Sequence, residues 1–253
     1  MPDYFEHLKQ NPNSLIARIY GVFTVKMEDI VPVHLLLMAN TIRCKSDNSI
    51  MNVFDLKGSM VNREVKITSK TKNTSTLKDL NLQMIKRKNQ TIGNDFIKFS
   101  KADIVHLNQQ IEKDICMLMK YNLMDYSLLF AVEINDDQLQ KAPDGPEQDE
   151  ERDDNPSNTE VSNKRHKFVS CCGNFTYHMA IIDYLQEFNW EKWGESKFKT
   201  AVLRRNEKLI SAVRPELYAQ RFCKFMKEEL LLDSILDLWY EDIGNEQAFK
   251  SIY

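Results

Sequence analysis

Three apolar runs in this chain each carry an aspartate where strand meets loop, and that pattern constrains the fold more than any other feature. Residues 50–55 read IMNVFD, residues 123–130 read LMDYSLLF, and residues 175–183 read FTYHMAIID. Short runs of β-branched, aromatic and aliphatic residues form strands. Aspartate is poor in strands and good in turns. Asp55, Asp125 and Asp183 therefore mark three boundaries between strand and loop. Taken singly, each is a turn former. Taken together, they supply acids at the ends of several buried strands. The first boundary continues as DLKGSMVNR, which adds Lys57, a Gly-Ser turn and Arg63.

A strand pair, or one strand with a bend at Gly21, is expected over 15–25, LIARIYGVFTV, and a further strand over 33–38, VHLLLM, a continuous apolar run that reads as buried. With residues 50–55 they suggest an antiparallel meander. Residues 64–100 are polar, and 68–76 read as a loop. Ser100 can cap a helix, with Asp103 three residues on. Ile104, Leu107, Ile111, Ile115 and Leu118 follow at helical spacing and give it one buried face, ending near Asn122. Pro215 opens a second helix, a position where its missing N–H costs nothing. Tyr218, Phe222, Phe225, Met226 and Leu230 form its stripe. A last amphipathic segment runs over 234–243. No internal repeat is present.

Hydrophobic residues make up 42% of the 253 and charged residues 28%, the balance of a globular domain with a substantial core. No apolar run reaches the ~20 residues of a membrane span. MPDYFEHLKQNPNS has no apolar stretch of the kind a secretory signal uses. Five cysteines without regular spacing argue against a disulfide framework and for a reducing compartment, and adjacent Cys171 and Cys172 lack the spacing of a zinc site. Net charge is −3, yet residues 144–154 hold seven acids and one arginine; without that −6 the rest stands at +3. Residues 137–165 read as a disordered insertion within one domain. The basic clusters 86–88, 164–167 and 204–205 read singly as solvated surface, and together as a body that can approach an anionic membrane.

DLKGS, MDYSLL after a long helix, and a strand ending in IID resemble the phosphatidylinositol phosphate kinases. NPNSLIARIYGV and RPELYAQRFCKFM extend the resemblance over nearly the whole chain outside the acidic insertion. It implies an α+β, kinase-like, two-lobed fold of antiparallel sheet and packed helices, its N-terminal lobe incomplete, as one domain over 1–253. It implies ATP-dependent phosphorylation of a phosphatidylinositol monophosphate, at position 5 of the inositol ring. ATP and Mg²⁺ would be the cofactors and a phosphoinositide in a membrane surface the substrate. The protein would be cytoplasmic and peripheral at the cytosolic face of membranes. No nucleic acid is implied, and a homodimer is admitted.

By the same resemblance, Asp125 is the catalytic-loop aspartate that orients or deprotonates the inositol hydroxyl. Asp183 is the Mg²⁺-binding acid. Lys57 reaches phosphate, with Asp55 and Gly58 shaping its turn, and Arg63 is a further phosphate contact. Leu37, Met38, Ala39 and Asn40 fall where a hinge between lobes holds adenine. Lipid choice resides in 184–200, where Lys192, Trp193, Glu195, Lys197 and Lys199 are the candidate lipid and membrane contacts. Trp193 stands where the family keeps the second of a basic pair. Wording around these motifs leans toward the 3-phosphate lipid, with the 4-phosphate open beside it.

The family's glycine-rich nucleotide loop and ATP-binding lysine are expected ahead of the matched region; no glycine-rich loop is found in the first twenty residues, and no VAIK-like strand precedes the hinge. Phe130, not Asn, stands five residues after Asp125. A catalytically weak or inactive phosphoinositide-binding module derived from such a kinase is therefore the alternative. A soluble inositol polyphosphate kinase fits less well, since its glycine falls one residue later than Gly58.

Overall fold

A computed structural model describes residues 2–44, 49–67, 75–91, 96–135, 166–188 and 214–232. In chain order these form helix α1 (Pro2–Gln10), strands β1 (Ile19–Met27), β2 (Ile30–Met38) and β3 (Ile50–Leu56), and helices α2 (Asp79–Thr91) and α3 (Lys101–Lys120). Then come β4 (Leu123–Met124), β5 (Ser127–Ile134), β6 (Lys167–Val169), β7 (Phe175–Ile182), β8 (Gln186–Glu187) and helix α4 (Pro215–Phe225), which continues as one π-helical stretch, Met226–Leu231. Helices and antiparallel strands together make an α+β fold.

The centre is a four-stranded sheet in the order β3-β5-β7-β6, antiparallel throughout. One face carries Phe54, Phe130 and Tyr177, all fully buried, and Phe99 lies 4.6 Å from the Tyr177 ring. Full burial of each phenylalanine contributes about 1.5–3 kcal/mol. α3 packs on α4 and β4 through the stripe its spacing predicts: Leu107, Ile111, Ile115 and Leu118 are buried. Ser100 caps it. Its Oγ accepts from the Asp103 N–H at 3.1 Å and donates to the Asp103 carboxylate at 2.6 Å.

Two strand expectations are corrected. β1 and β2 form a separate two-stranded ribbon, with Val22 opposite Leu36 and Phe23 opposite Leu35. β3 leaves that ribbon and pairs with β5, so the first three strands are not a meander. The run Val33–Met38 is not buried: Val33, Leu35 and Leu37 are exposed. Periodicity reports an apolar strand and says nothing of what covers it. The bend at Gly21 is a register shift between Ile19 and Gly21.

The ribbon's root is fixed to the central sheet. Ala17 N–H donates to the Ile181 carbonyl at 2.9 Å, and Ile181 N–H to the Leu15 carbonyl at 2.7 Å. Buried Asp114 of α3 accepts from His7 of α1 and from the Leu15 N–H, both at 2.7 Å. The cluster 86–88 is not wholly solvated either. Lys86 is 8% exposed, and its ammonium donates to the carbonyls of Glu229, Leu230 and Leu232 at 2.8–3.1 Å. It caps the end of the α4 extension, where carbonyls lack helical partners.

Candidate active site

Register brings the predicted acids and lysine to one end of the sheet. Leu56 is opposite Leu128 in the β3–β5 pair, and Ser127 is opposite Ile182 in the β5–β7 pair. Lys57 just after β3, Asp125 just before β5 and Asp183 just after β7 therefore emerge together. β4 and β8 pair across this end, with Met124 opposite Gln186, so the two aspartate turns are tied side by side. Asp125 and Asp183 both take left-handed backbone, φ 62° and 58°. Asp and Asn tolerate that region better than other non-glycine residues.

These three residues line a cleft of about 580 Å³, whose other walls are Leu36 and Met38 of β2 and the stretch Tyr184–Gln186. A groove of about 680 Å³ between α1 and α3 is larger. It holds none of the three, which meet in the smaller cleft. Lys57 Nζ lies 2.7 Å from the Asp125 carbonyl and 3.0 Å from its carboxylate. A charge-assisted contact of this kind is short and strong. Asp183 is exposed and its carboxylate makes no hydrogen bond or ion pair within the described structure. No cluster of three His, Cys, Asp or Glu side chains occurs among the described residues. Mg²⁺ suits such a site, since it takes one or two carboxylates and completes its shell with water and substrate phosphates.

The DLKGS turn is built from behind. Asp79, fully buried at the start of α2, accepts from the Lys57 N–H at 3.0 Å and the Gly58 N–H at 2.7 Å on one oxygen. Its other oxygen accepts from Arg63 Nε at 2.6 Å. Arg63 also donates to the Asp55 carbonyl and, at 3.0 Å, to the Asp55 carboxylate. Burial works against the Arg63 charge, but Asp79 and Asp55 outweigh it and hold its pKa above the ordinary value. Arg63 is thus 8% exposed and tied into the turn, and it is not among the residues that line the cleft. Asp55 stays with it.

Of the hinge candidates, Met38 enters the cleft. Leu37 points to the other face of β2 and is 53% exposed, as strand alternation requires. Ala39 N–H donates to the Arg18 carbonyl at 2.8 Å, and the Asn40 side chain accepts from the Ile42 N–H at 3.2 Å. Lys192, Trp193, Glu195, Lys197 and Lys199 lie outside the described residues, as does the insertion 137–165. Asp79 escaped sequence reasoning. An aspartate opening a helix is a common cap, and nothing local signals that it serves a turn twenty residues earlier.

Compared with known proteins, residues 1–229 match the family model described as Phosphatidylinositol-4-phosphate 5-Kinase. The chain is 27% identical over 243 residues to a phosphatidylinositol 4-phosphate 5-kinase of Plasmodium falciparum, covering 91% of this chain and 14% of that protein. It is 27% identical over 269 residues to phosphatidylinositol 4-phosphate 5-kinase 3 of Arabidopsis thaliana, covering 92% and 35%. Against the type-1 beta enzyme of Rattus norvegicus it is 26% identical over 261 residues, covering 91% and 45%. The chain spans less than half the length of each of these relatives.

Proposed function

The chain belongs to the phosphatidylinositol-4-phosphate 5-kinase family, and from that premise we propose that it transfers the γ-phosphoryl group of ATP to the inositol ring of a phosphatidylinositol monophosphate, at position 5. The observation that carries this reading is the convergence of Lys57, Asp125 and Asp183 in one cleft, with the Asp183 carboxylate unpartnered among the described residues. Phosphoryl transfer asks the protein for positioning and charge neutralisation, not covalent chemistry. Asp125 receives the proton of the attacking hydroxyl or orients it. The Lys57 ammonium lies 3.0 Å from that carboxylate and offsets negative charge gathered beside it. Asp183, with an exposed carboxylate, would hold Mg²⁺, and the ion would supply neutralisation of phosphate charge there. Met38 and Leu36 give the cleft an apolar wall suited to a nucleotide base.

The cleft's place between ribbon and sheet supports a two-lobed kinase arrangement. Acting on a lipid headgroup puts the protein at the cytosolic surface of a membrane, as a peripheral protein. No helix among the described residues is long and apolar enough to cross one. The relatives' names favour the 4-phosphate lipid over the 3-phosphate. The test is lipid phosphorylation by the purified 253-residue chain, with each monophosphate in vesicles and Mg-ATP. Product from the 4-phosphate lipid is expected, and Asp183→Asn should abolish it. No product from any of the lipids would overturn the kinase reading.

A further inference from the structure

We infer that helix α4 is the positioning element of the cleft, and that the Tyr218 hydroxyl, through the Tyr126 carbonyl, holds Asp125 and thereby its pair with Lys57. The role in catalysis rests on the phosphotransfer reading above; the positioning itself does not. Tyr218 is fully buried, and its hydroxyl donates to the Tyr126 carbonyl. Burial raises the phenol pKa, so the hydroxyl keeps its proton and remains a donor. Tyr126 directly follows Asp125. Its ring sits edge-on to Tyr218 at 4.7 Å and to Phe222 at 5.1 Å.

Two consecutive carbonyls are therefore held by two different side chains. The Asp125 carbonyl is taken by Lys57 Nζ, and the Tyr126 carbonyl by Tyr218. A non-glycine residue in left-handed backbone persists where its surroundings over-determine it. This pair of ties supplies that constraint for Asp125. The helix braces the lysine as well. A Cβ on Gly58, beside Lys57, would lie 3.0 Å from the Arg221 carbonyl and 3.1 Å from Phe222 Cα. One helix thus touches the neighbour of each member of the pair. In Tyr218→Phe the ring packing stays, but a buried carbonyl loses its donor. The peptide must then turn to find another partner, and Asp125 moves with it.

The test is competitive acetylation of the full chain by limiting acetic anhydride, read lysine by lysine by mass spectrometry, on wild type, Tyr218→Phe and Tyr126→Phe. An ammonium held by a carboxylate and a carbonyl reacts slowly. Lys57 should label roughly three- to tenfold faster in Tyr218→Phe, the range of one lost net hydrogen bond. Lys86, clasped to the end of the same helix, should be unchanged. Tyr126→Phe removes a buried hydroxyl that has no partner among the described residues and should leave Lys57 at its wild-type rate. Lipid turnover, where the wild type shows it, should fall in kcat with KM for Mg-ATP unchanged. The inference is overturned if Lys57 labels at the wild-type rate in Tyr218→Phe, if Lys86 rises with it, or if Tyr126→Phe has the same effect. The labelling decides the positioning role even where the wild-type chain makes no lipid product, so the two readings fail separately.

Discussion

His178 of β7 is fully buried, with Nε2 2.9 Å from the Glu133 carboxylate, while Ser49 donates to the other oxygen of Glu133 at 2.9 Å. Its Nδ1 has no partner among the described residues. Burial lowers the His178 pKa, the Glu133 bond opposes this, and Lys167, opposite on β6, adds to the lowering; the net direction is down. The unfolded chain therefore binds this proton more readily than the folded one. Stability from His178 is complete above about pH 6.5 and is lost as pH falls toward the folded value. Its slope cannot exceed about 1.4 kcal/mol per pH unit for one proton. Denaturant unfolding between pH 7.5 and 5 should show this decline, and His178→Gln, which keeps a donor for Glu133, should flatten it. An unchanged slope in the variant would remove His178 from the account. The same scale shows what sequence could reveal. Asp125, Asp183 and Lys57 were readable because each sits at the end of a strand that announces itself. Arg63 was readable as a basic residue in the right stretch, but not as one consumed by Asp79 and Asp55. Burial of a charge depends on partners far away in sequence.

Between elements, the decisive contact is α4 against the DLKGS turn. Gly58 has φ 65° and its Cβ position is met by three atoms of α4 at 3.0–3.2 Å, while Gly173, with φ 75°, has nothing within 4 Å among the described residues. Gly173→Ala carries only the backbone penalty. Gly58→Ala carries that penalty and the clash with helix backbone, and should cost about 1–3 kcal/mol more. Urea unfolding of both variants checks this; equal losses would mean that α4 yields to the new methyl. The elements themselves were legible where a period of 3.6 ran long enough, as in α3, or where Pro215 gave a start, as in α4. α1 and α2 were not foreseen, since short polar helices carry little pattern. The ribbon was seen as strands but wrongly covered, because Val33–Met38 has the composition of a buried strand.

At the scale of the molecule, sheet, helices and ribbon are arranged so that three loop residues, 57, 125 and 183, meet where ribbon and sheet adjoin. The fold class followed from the sequence, and the assembly of β3-β5-β7-β6 did not, because strand order is set by pairing across long separations. The ribbon has one more consequence, which is colloidal. Among the described residues neither outer edge of β1 or β2 is paired along its length by another strand. Its apolar side chains stand in water, Val31 being 83% exposed. Natural edge strands are blunted by lysine, proline or cover; here, among the described residues, Pro32 and Lys26 are the only such devices in the ribbon. The purified chain should self-associate as its concentration rises, and the double variant Val31→Lys, Leu35→Lys should stay monomeric in sedimentation velocity over the same range. Wild-type chain that sediments as a monomer throughout would show that the bare edges are harmless. Where it does associate, solubility and the make-up of the cleft become separable properties, since the side chains that make the ribbon adhesive lie on strands whose cleft-facing residues, Leu36 and Met38, need not be touched.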